Sequence, residues 1–367
     1  MIVRGGGLPS LVAAAAVTFA PPFPPRTNRD PIGSQPMSTT ATQAILTRAA
    51  RADNPWASFL LRRGGQFLLS VWVLVTAAFL MIHLIPGDPV RTALGMNATA
   101  EMVEARRAAL GLDQPLPVQY VTYIANLFRG DMGVSMLTNQ PVSEIIATRL
   151  PATLQLALLA VLLVLVVSIP LGVTMAVLTH GGRRRGLELG FATTSVVVAA
   201  IPEFLMAVGL VFLFAVTLQW LPVAGNGSPQ SLILPVVALA IGPIAVFSRI
   251  IRVEVVSVLG QDFIRTARAK RLAPARIYRR HAVPNAMTAT LTLTGLLLSG
   301  MVAGTVLVEQ IFAWPGLGQM IVSSILSKDY PVVQAIVLIY GAGVLLVNLA
   351  VDLLLMALDP RSAIKEA

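Results

Sequence analysis

The stretch from Phe263 to Ala286 carries the densest charge in a chain that is otherwise mostly apolar. It holds seven Lys or Arg residues and one His, with no acidic residue. Phosphates of nucleic acid, anionic lipid head groups and a protein partner are the three kinds of surface that such a segment could contact. Only Phe263 and Tyr278 interleave aromatic rings with the basic residues, and apolar stretches flank the segment on both sides. We therefore expect no nucleic acid, which leaves lipid or a protein as the partner.

Side chains that could act as nucleophiles, bases or metal ligands are sparse. The chain has no Cys, and its three His residues, at 83, 180 and 281, lie far apart. Neither a thiolate site nor a histidine metal site is therefore expected. No G-x-x-x-x-G-K-[ST] string is present to hold nucleotide phosphates. We expect no catalytic residue, and no cofactor or metal bound by this chain.

The composition is that of a membrane protein. Hydrophobic residues make up 56% of the chain and charged residues only 12%, whereas a soluble domain has about a quarter charged. Crossing a bilayer takes about 20 helical residues. Six apolar stretches are long enough: 67–86, 153–178, 187–219, 232–248, 288–310 and 332–356. We predict an all-α membrane protein, a polytopic bundle of six transmembrane helices, with the third broken at Pro202.

The charges between these spans predict the orientation of the chain. Residues 249–284 carry nine basic and two acidic residues, whereas 87–150 carries five basic and six acidic ones. By the positive-inside rule both termini face the cytoplasm and 87–150 is extracytoplasmic, with Trp220 and Trp314 anchoring outer span ends. The predicted organisation is a disordered or non-native N-terminal extension at 1–36, a cytoplasmic segment at 37–66, a transmembrane domain at 67–356 with a cytoplasmic loop at 257–285, and a cytoplasmic tail at 357–367.

Three acidic residues lie within or at the end of predicted spans. A charge there is costly and faces a cavity or a partner. Glu203 follows Pro202, where a broken helix frees backbone groups beside a path, so a translocation role and a structural role are equally favoured. For Asp352, one turn after Asn348, and for Glu309, which we expect to be solvated near the outer surface, we favour structural roles. A proton relay or direct contact with the substrate is the alternative role.

Within the basic segment, small residues suit close contact with a protein. The small side chains of Thr266, Ala267 and Ala269 would let a partner protein come close to the backbone. Leu272 offers an apolar contact, and Pro274 can start a second short helix. A helix–turn–helix lying along the membrane and docked into a groove would suit force transmission. Charged side chains flank these residues: Arg265, Arg268, Lys270 and Arg271.

Several strings in order resemble the permease subunits of ABC importers of the dipeptide, oligopeptide and nickel family. FIRTARAK (263–270) with RHAVPNA (280–286) resembles the cytoplasmic loop of that family. The remaining matching strings are LIPGDP (84–89), GLDQPLPVQY (111–120), GDMGVS (130–135), VEQIFAWPGLG (308–318), DYPVVQ (329–334), NLAVD (348–352) and LDPR (358–361). The resemblance covers most of residues 60–363.

This resemblance implies a type I importer permease fold in the cytoplasmic membrane. It implies a second homologous permease subunit, two cytoplasmic ATPase subunits that bind ATP and Mg²⁺, an extracytoplasmic solute-binding protein and a small peptide substrate. Nickel chelates, haem and glutathione are alternative substrates. A proton-coupled secondary transporter is the competing class, and it leaves the cytoplasmic loop unexplained.

One position departs from the family pattern. The family carries Gly where this chain has Arg271, at the turn between the two short helices. A helix C-terminus often needs a residue with positive φ, which costs a residue with a side chain about 1–2 kcal/mol. Three interpretations follow. The turn is built without a left-handed residue, the docking geometry is strained, or Arg271 contacts an acidic residue of a partner protein.

Two further groups of residues are candidate sites. Gly300 and Gly304 form a G-x-x-x-G pair, which allows close helix packing, either within the chain or along a permease seam or path. The 64-residue outer stretch is long for a connector. Its Asp88, Tyr120 and Asp131 are the residues at which we expect the solute-binding protein to dock.

Overall fold

The computed structural model describes residues 55–84, 89–94, 98–109, 111–182 and 184–358. The predicted N-terminal extension, most of the 37–66 segment, Asp88 and most of the C-terminal tail lie outside these residues. The described chain is helical throughout its length apart from short turns and loops. Its helices are α1 Pro55–Leu84, α2 Pro89–Leu94, α3 Ala100–Ala109, α4 Leu116–Phe128, α5 Val142–Thr179, α6 Arg185–Ala200, α7 Glu203–Leu210, α8 Ile233–Leu259, α9 Asp262–Ala269, α10 Pro274–Ile277, α11 Val283–Ile311, α12 Leu317–Leu326 and α13 Tyr330–Leu358.

Apolar length identifies the spans among these helices. Within the described residues, four helical segments are long and apolar enough to cross a membrane, in α1, α5, α8 and α13. The pair α6 and α7, continued by a π-helical turn, makes a fifth span that is bent by 94°. The sixth predicted span, 288–310, falls within α11. The polytopic helical bundle expected from the sequence is confirmed.

The bend between α6 and α7 lies at the predicted proline. Ile201 has extended backbone angles, with φ −72° and ψ 121°. The ring of a proline disfavours helical angles in the residue before it, so α6 has to end before Pro202. Helix α7 then starts at Glu203 in a new direction. The break therefore places an acidic side chain at the apex of the bent span.

Two helices run well beyond the spans predicted from hydropathy. Helix α5 starts at Val142 and passes through Pro151, whereas the apolar window begins at 153. Helix α8 passes through Pro243 and ends at Leu259, well past the predicted limit of 248. Hydropathy detects only the part of a helix that lies in hydrocarbon, so polar turns that extend into the interface are missed.

The core of the bundle is the seam between α5 and α8. Leu156, Ala160 and Val164 of α5 and Phe247 and Ile251 of α8 are all buried. Lipid tails are as apolar as these side chains, so close van der Waals packing stabilises the seam rather than exclusion of water. Gly172 makes this possible, because a Cβ there would lie 2.6 Å from the Ser248 carbonyl oxygen.

One predicted interfacial residue belongs to this core. Trp314 is 2% exposed, and its indole Nε1 donates a hydrogen bond to the Ala152 carbonyl at 3.0 Å. The interfacial anchor predicted at Trp314 is therefore wrong. Trp220, by contrast, is 69% exposed. Both tryptophans lie near span ends, and sequence position does not distinguish a ring turned inward from one turned outward.

Candidate functional site

The cytoplasmic-loop candidate consists of α9, a tight turn and α10. The N–H of Arg271 donates to the carbonyl of Arg268 at 2.9 Å, and the N–H of Leu272 donates to the carbonyl of Ala267 at 3.3 Å. Arg271 itself is left-handed, with φ 54°. These two bonds and the left-handed residue form a Schellman turn, which satisfies carbonyl groups at the end of α9. Of the three readings for Arg271, the first is wrong, because the turn uses a left-handed residue without glycine.

This geometry makes a stability prediction. Arg271→Gly is expected to raise the free energy of unfolding by about 1 kcal/mol, because glycine adopts positive φ without the Cβ penalty. Thermal unfolding of the purified protein in detergent measures this change. Ala269→Gly, two residues earlier within α9, should destabilise by up to about 1 kcal/mol, since glycine is a poor helix former. A loss of stability in Arg271→Gly would contradict the assignment of the turn.

The loop has an inner and an outer face. Ile264 and Ala267 of α9 and Ile277 of α10 are buried, and Leu272 is partly buried against the same core. Two of the predicted docking residues, Ala267 and Leu272, thus hold the loop on the bundle. The others are exposed and available to a partner: Arg265, Thr266, Arg268, Ala269, Lys270, Arg271 and Pro274.

Near this loop, one arginine links three helices through an ion pair and a hydrogen bond that were not predicted from the sequence. Arg252 of α8 forms an ion pair with Glu188 of α6 at 2.6 Å, and its Nε donates to the Thr179 hydroxyl of α5 at 3.0 Å. The Arg252 side chain is 14% exposed, so water screens this pair less than a surface pair. The available signal was a basic residue on an otherwise apolar helix face. Three spans are thereby linked where the loop leaves α8.

The predicted path residues Glu203 and Gly304 lie together. A Cβ on Gly304 would lie 2.8 Å from Oε1 of Glu203, so the glycine lets this carboxylate pack directly against α11 in its present position. One turn earlier, Gly300 is exposed and has open space at its Cβ position. The G-x-x-x-G pair thus has two different surroundings: Gly304 packs within the chain, and Gly300 faces outward.

Asn348 and Asp352 lie apart from that pair. They line a cavity of about 380 Å³ between α1 and α13. The Asp352 carboxylate is 3.4 Å from the Arg63 guanidinium. Since an ion pair offsets the cost of a charge near hydrocarbon, this contact supports the structural role favoured for Asp352.

Glu309 is the most enclosed carboxylate of the described chain. It is 0% exposed, so the expected solvation at the outer surface is wrong. Its Oε1 accepts a hydrogen bond from the Thr153 hydroxyl at 2.7 Å. Its Oε2 accepts from the backbone N–H of Gly318 at 2.6 Å and of Gln319 at 3.1 Å. The carboxylate therefore caps the N-terminus of α12, where the helix dipole favours negative charge.

The opposite end of α12 is held by a second buried carboxylate. Asp329 is 1% exposed and accepts hydrogen bonds from the Ser135 hydroxyl at 2.5 Å and the Met136 N–H at 3.0 Å. Helix α12 is thus tied at its start to α5 and α11, and just past its end to the 130–135 turn. We call this arrangement the α12 clamp. The sequence signal is the pair of acidic residues, Glu309 and Asp329, that flank this short apolar helix.

The predicted docking residues on the outer side divide into two groups. Asp131 is exposed, and its Oδ1 accepts the Gly133 N–H at 2.8 Å. The hydroxyl of Tyr120 lies 2.7 Å from that of Thr76 on α1, so this side chain packs on the first span. In the described residues no cluster of three His, Cys, Asp or Glu side chains could hold a metal ion.

Comparison with known proteins identifies the family. Residues 168–364 match the model of the binding-protein-dependent transport system inner membrane component. Residues 56–157 match the N-terminal model of the binding-protein-dependent transport system membrane component. The two models together cover the bundle, the outer region and the cytoplasmic loop.

Individual relatives agree with these models. A putative peptide transport system permease protein of Brucella suis biovar 1 (strain 1330) is 39% identical, over 83% of this chain and 98% of the relative. The glutathione transport system permease protein GsiC of Salmonella choleraesuis (strain SC-B67) is 37% identical, over 83% of this chain and 98% of the relative.

A solved structure resembles the fold. The MetNI methionine ABC transporter in an inward-facing conformation matches with a TM-score of 0.51 at 19% identity, covering 59% of this chain and 96% of the other. At that identity only the fold is shared. The family models and the sequence relatives extend over the same helices that form the bundle and its loop. The chain is an inner-membrane permease subunit of the binding-protein-dependent ABC importer family.

Proposed function

We propose that this chain forms one half of a translocation pathway for small peptides, driven by ATP on separate subunits. The observation that carries the proposal is the two-faced cytoplasmic loop. Its apolar side is anchored in the bundle core through Ile264 and Ala267, while Thr266 and Arg268 face outward. A loop that is held rigidly on one side and free on the other can transmit a partner's movement to the helices.

The direction of that transmission follows from the connections of the loop. Helix α9 is joined to α8 through a single turn at Gly260, and α10 continues through a π-helical turn into α11. A displacement of the loop would therefore be passed to two spans at once. The tie from Arg252 to Glu188 and Thr179 couples α8 further to α5 and α6. Both termini would lie in the cytoplasm, on the side of the loop.

The proposed assembly contains this chain, a homologous second permease, two ATPase subunits and an extracytoplasmic solute-binding protein. ATP and Mg²⁺ would be held by the ATPase subunits, with no cofactor on this chain. Peptide is the proposed substrate class because relatives at 39% and 37% identity are a putative peptide permease and a glutathione permease. Glutathione is itself a tripeptide, so both substrates belong to one chemical class.

Uptake into proteoliposomes that contain the whole assembly tests this function. Trialanine and glutathione should be taken up only when ATP is supplied to the side of the ATPase subunits. Uptake that proceeds without ATP and collapses with the proton gradient would overturn the proposal in favour of a secondary transporter.

Charge reversal in the loop tests the coupling role. Arg268→Glu is expected to lower ATP-driven uptake at least about 10-fold, since a reversed charge in a protein interface costs several kcal/mol. Lys328→Glu makes the same charge change at an exposed position of the outer side and should leave uptake near the wild-type rate. Protein abundance in the membrane is measured for both variants. Equal uptake by the two variants would contradict the proposal that the loop couples the ATPase subunits to transport.

A further inference from the structure

A cavity of about 500 Å³ opens on the outer side of the chain, apart from the cytoplasmic loop and next to the 130–135 turn of the α12 clamp. It lies between the end of α1, helices α3 and α4, the 131–136 turn and the start of α13. Small-molecule sites in proteins occupy about 300–1,000 Å³. The cavity is therefore large enough for an organic molecule the size of a di- or tripeptide.

Several hydrogen-bond donors in the wall of this cavity are already committed to the protein, whereas the Tyr123 hydroxyl has no partner among the described residues. Nε2 of Gln119 donates to the carbonyls of Gln114 at 2.7 Å and Leu112 at 3.3 Å. Nε2 of Gln334 donates to the Ala78 carbonyl at 3.1 Å. Both ring nitrogens of His83 face acceptors, at 3.0 Å from the Phe79 carbonyl and 3.1 Å from Oε1 of Gln119. Any proton on that ring is thus directed at the protein.

Some acceptors of the wall, one of them charged, also remain uncommitted. Asp131 uses Oδ1 for the Gly133 N–H, and no described residue donates to its Oδ2. Oε1 of Gln334 and the Asn126 side-chain amide likewise have no hydrogen bond among the described residues. The lining side chains include no Lys or Arg. The free oxygen of the Asp131 carboxylate, with no basic side chain lining the cavity, therefore suits a ligand group that donates hydrogen bonds and carries positive charge.

Aromatic rings complete the wall. Phe79 and Tyr123 both line the cavity, with their ring centroids 5.7 Å apart. Burial raises the pKa of the Tyr123 phenol, and the neighbouring Tyr120 raises it further. The phenol is thus neutral at physiological pH. A cation beside such rings gains electrostatic attraction from their faces.

We propose that this cavity binds a primary ammonium group on an organic ligand, with the Asp131 carboxylate as its counter-ion. Two sources carry that chemistry: the amino terminus of a short peptide, which rests on the proposed function, and a lysine side chain. The ammonium donates to the free oxygens of Asp131 and Gln334, and the rest of the ligand lies along Phe79 and Tyr123. This is a site on the outer side of the permease itself.

Calorimetric titration of the full chain in lipid nanodiscs tests the site. Three probes are compared: trialanine, N-acetyl-trialanine and Nα-acetyl-lysine amide. We expect trialanine to bind and its N-acetyl form, which lacks the ammonium, to bind at least about 10-fold more weakly, a difference of about 1.4 kcal/mol. Binding of Nα-acetyl-lysine amide alone assigns the site to a lysine side chain, and binding of trialanine alone assigns it to a peptide terminus. Equal binding of the two trialanine forms, or no binding of any probe, overturns the proposal.

Variants of Asp131 give the matched control. Asp131→Asn keeps Oδ1 for the Gly133 N–H, so the turn survives while the charge is lost, and we expect at least about 10-fold weaker binding. Asp131→Glu should restore most of the affinity. Asp113→Asn removes an exposed carboxylate of the same outer region that does not line the cavity and should change nothing. Unchanged binding in Asp131→Asn overturns the proposal. Because the titration needs no ATPase subunit, its result is separate from the ATP dependence of uptake.

Discussion

Glu309→Ala is expected to lower the free energy of unfolding by roughly 2–6 kcal/mol, because two buried donors, at a cost of about 1–3 kcal/mol each, and a third, partly buried donor lose their acceptor. The three donors are the Thr153 hydroxyl and the backbone N–H groups of Gly318 and Gln319. Thermal unfolding in detergent, followed by circular dichroism, measures the loss.

Two matched variants separate this cap from a general effect of charge. Glu309→Gln keeps a carbonyl oxygen for the N–H groups of α12 and should lose less than half as much stability. Glu144→Ala removes an exposed glutamate from the first turn of α5 and should stay within about 0.5 kcal/mol of the wild type. If Glu309→Ala unfolds at the same temperature as Glu144→Ala, the α12 clamp contributes nothing to stability.

Gly172→Ala is expected to have the second largest effect, a loss of about 1–3 kcal/mol through overpacking of the α5–α8 seam. The added Cβ would lie 2.6 Å from the Ser248 carbonyl oxygen and 2.8 Å from Cβ of Ile251. Neither obstacle is the flexible end of a side chain, so the two helices have to separate. The same unfolding measurement detects this loss, and reduced abundance in the membrane should accompany it.

A second glycine in the same helix pair serves as the control. Gly242 lies within α8, and a Cβ there would meet nothing within 4 Å. Gly242→Ala should therefore be neutral or stabilise by up to about 1 kcal/mol, since alanine is the better helix former. Equal destabilisation by Gly172→Ala and Gly242→Ala would show that the seam is not as tightly packed as these distances require.

The features that follow from local chemistry were predictable from sequence. A span needs only enough consecutive apolar residues, and a break needs only a proline, so the bundle and the bend at Pro202 could be inferred without a structure. The two short helices of the cytoplasmic loop could also be predicted from the sequence. Which face of α9 turns toward the bundle could not be predicted from the sequence. Only the packing of Ile264 and Ala267 on the core decides which side of the helix is free.

Long-range pairings could not be read from the chain. Glu309 meets Thr153 at a sequence separation of 156 residues, and Asp329 meets Ser135 at a separation of 194. Hydropathy scores each of these residues as a polar side chain near a span end, which predicts solvation. The folded chain instead turns both carboxylates inward to satisfy backbone and hydroxyl donors around α12.

The sequence by itself determined the class of this protein, its membrane character and the family to which it belongs, because each depends on composition or on ordered short strings. The tertiary structure alone decided which polar groups are paired and which are left open. Glu309 and Asp329 are enclosed, while Asp131 keeps one oxygen free beside a cavity. The physical reason is that a hydrogen bond depends on the distance between two atoms, and only the packing of distant helices sets that distance.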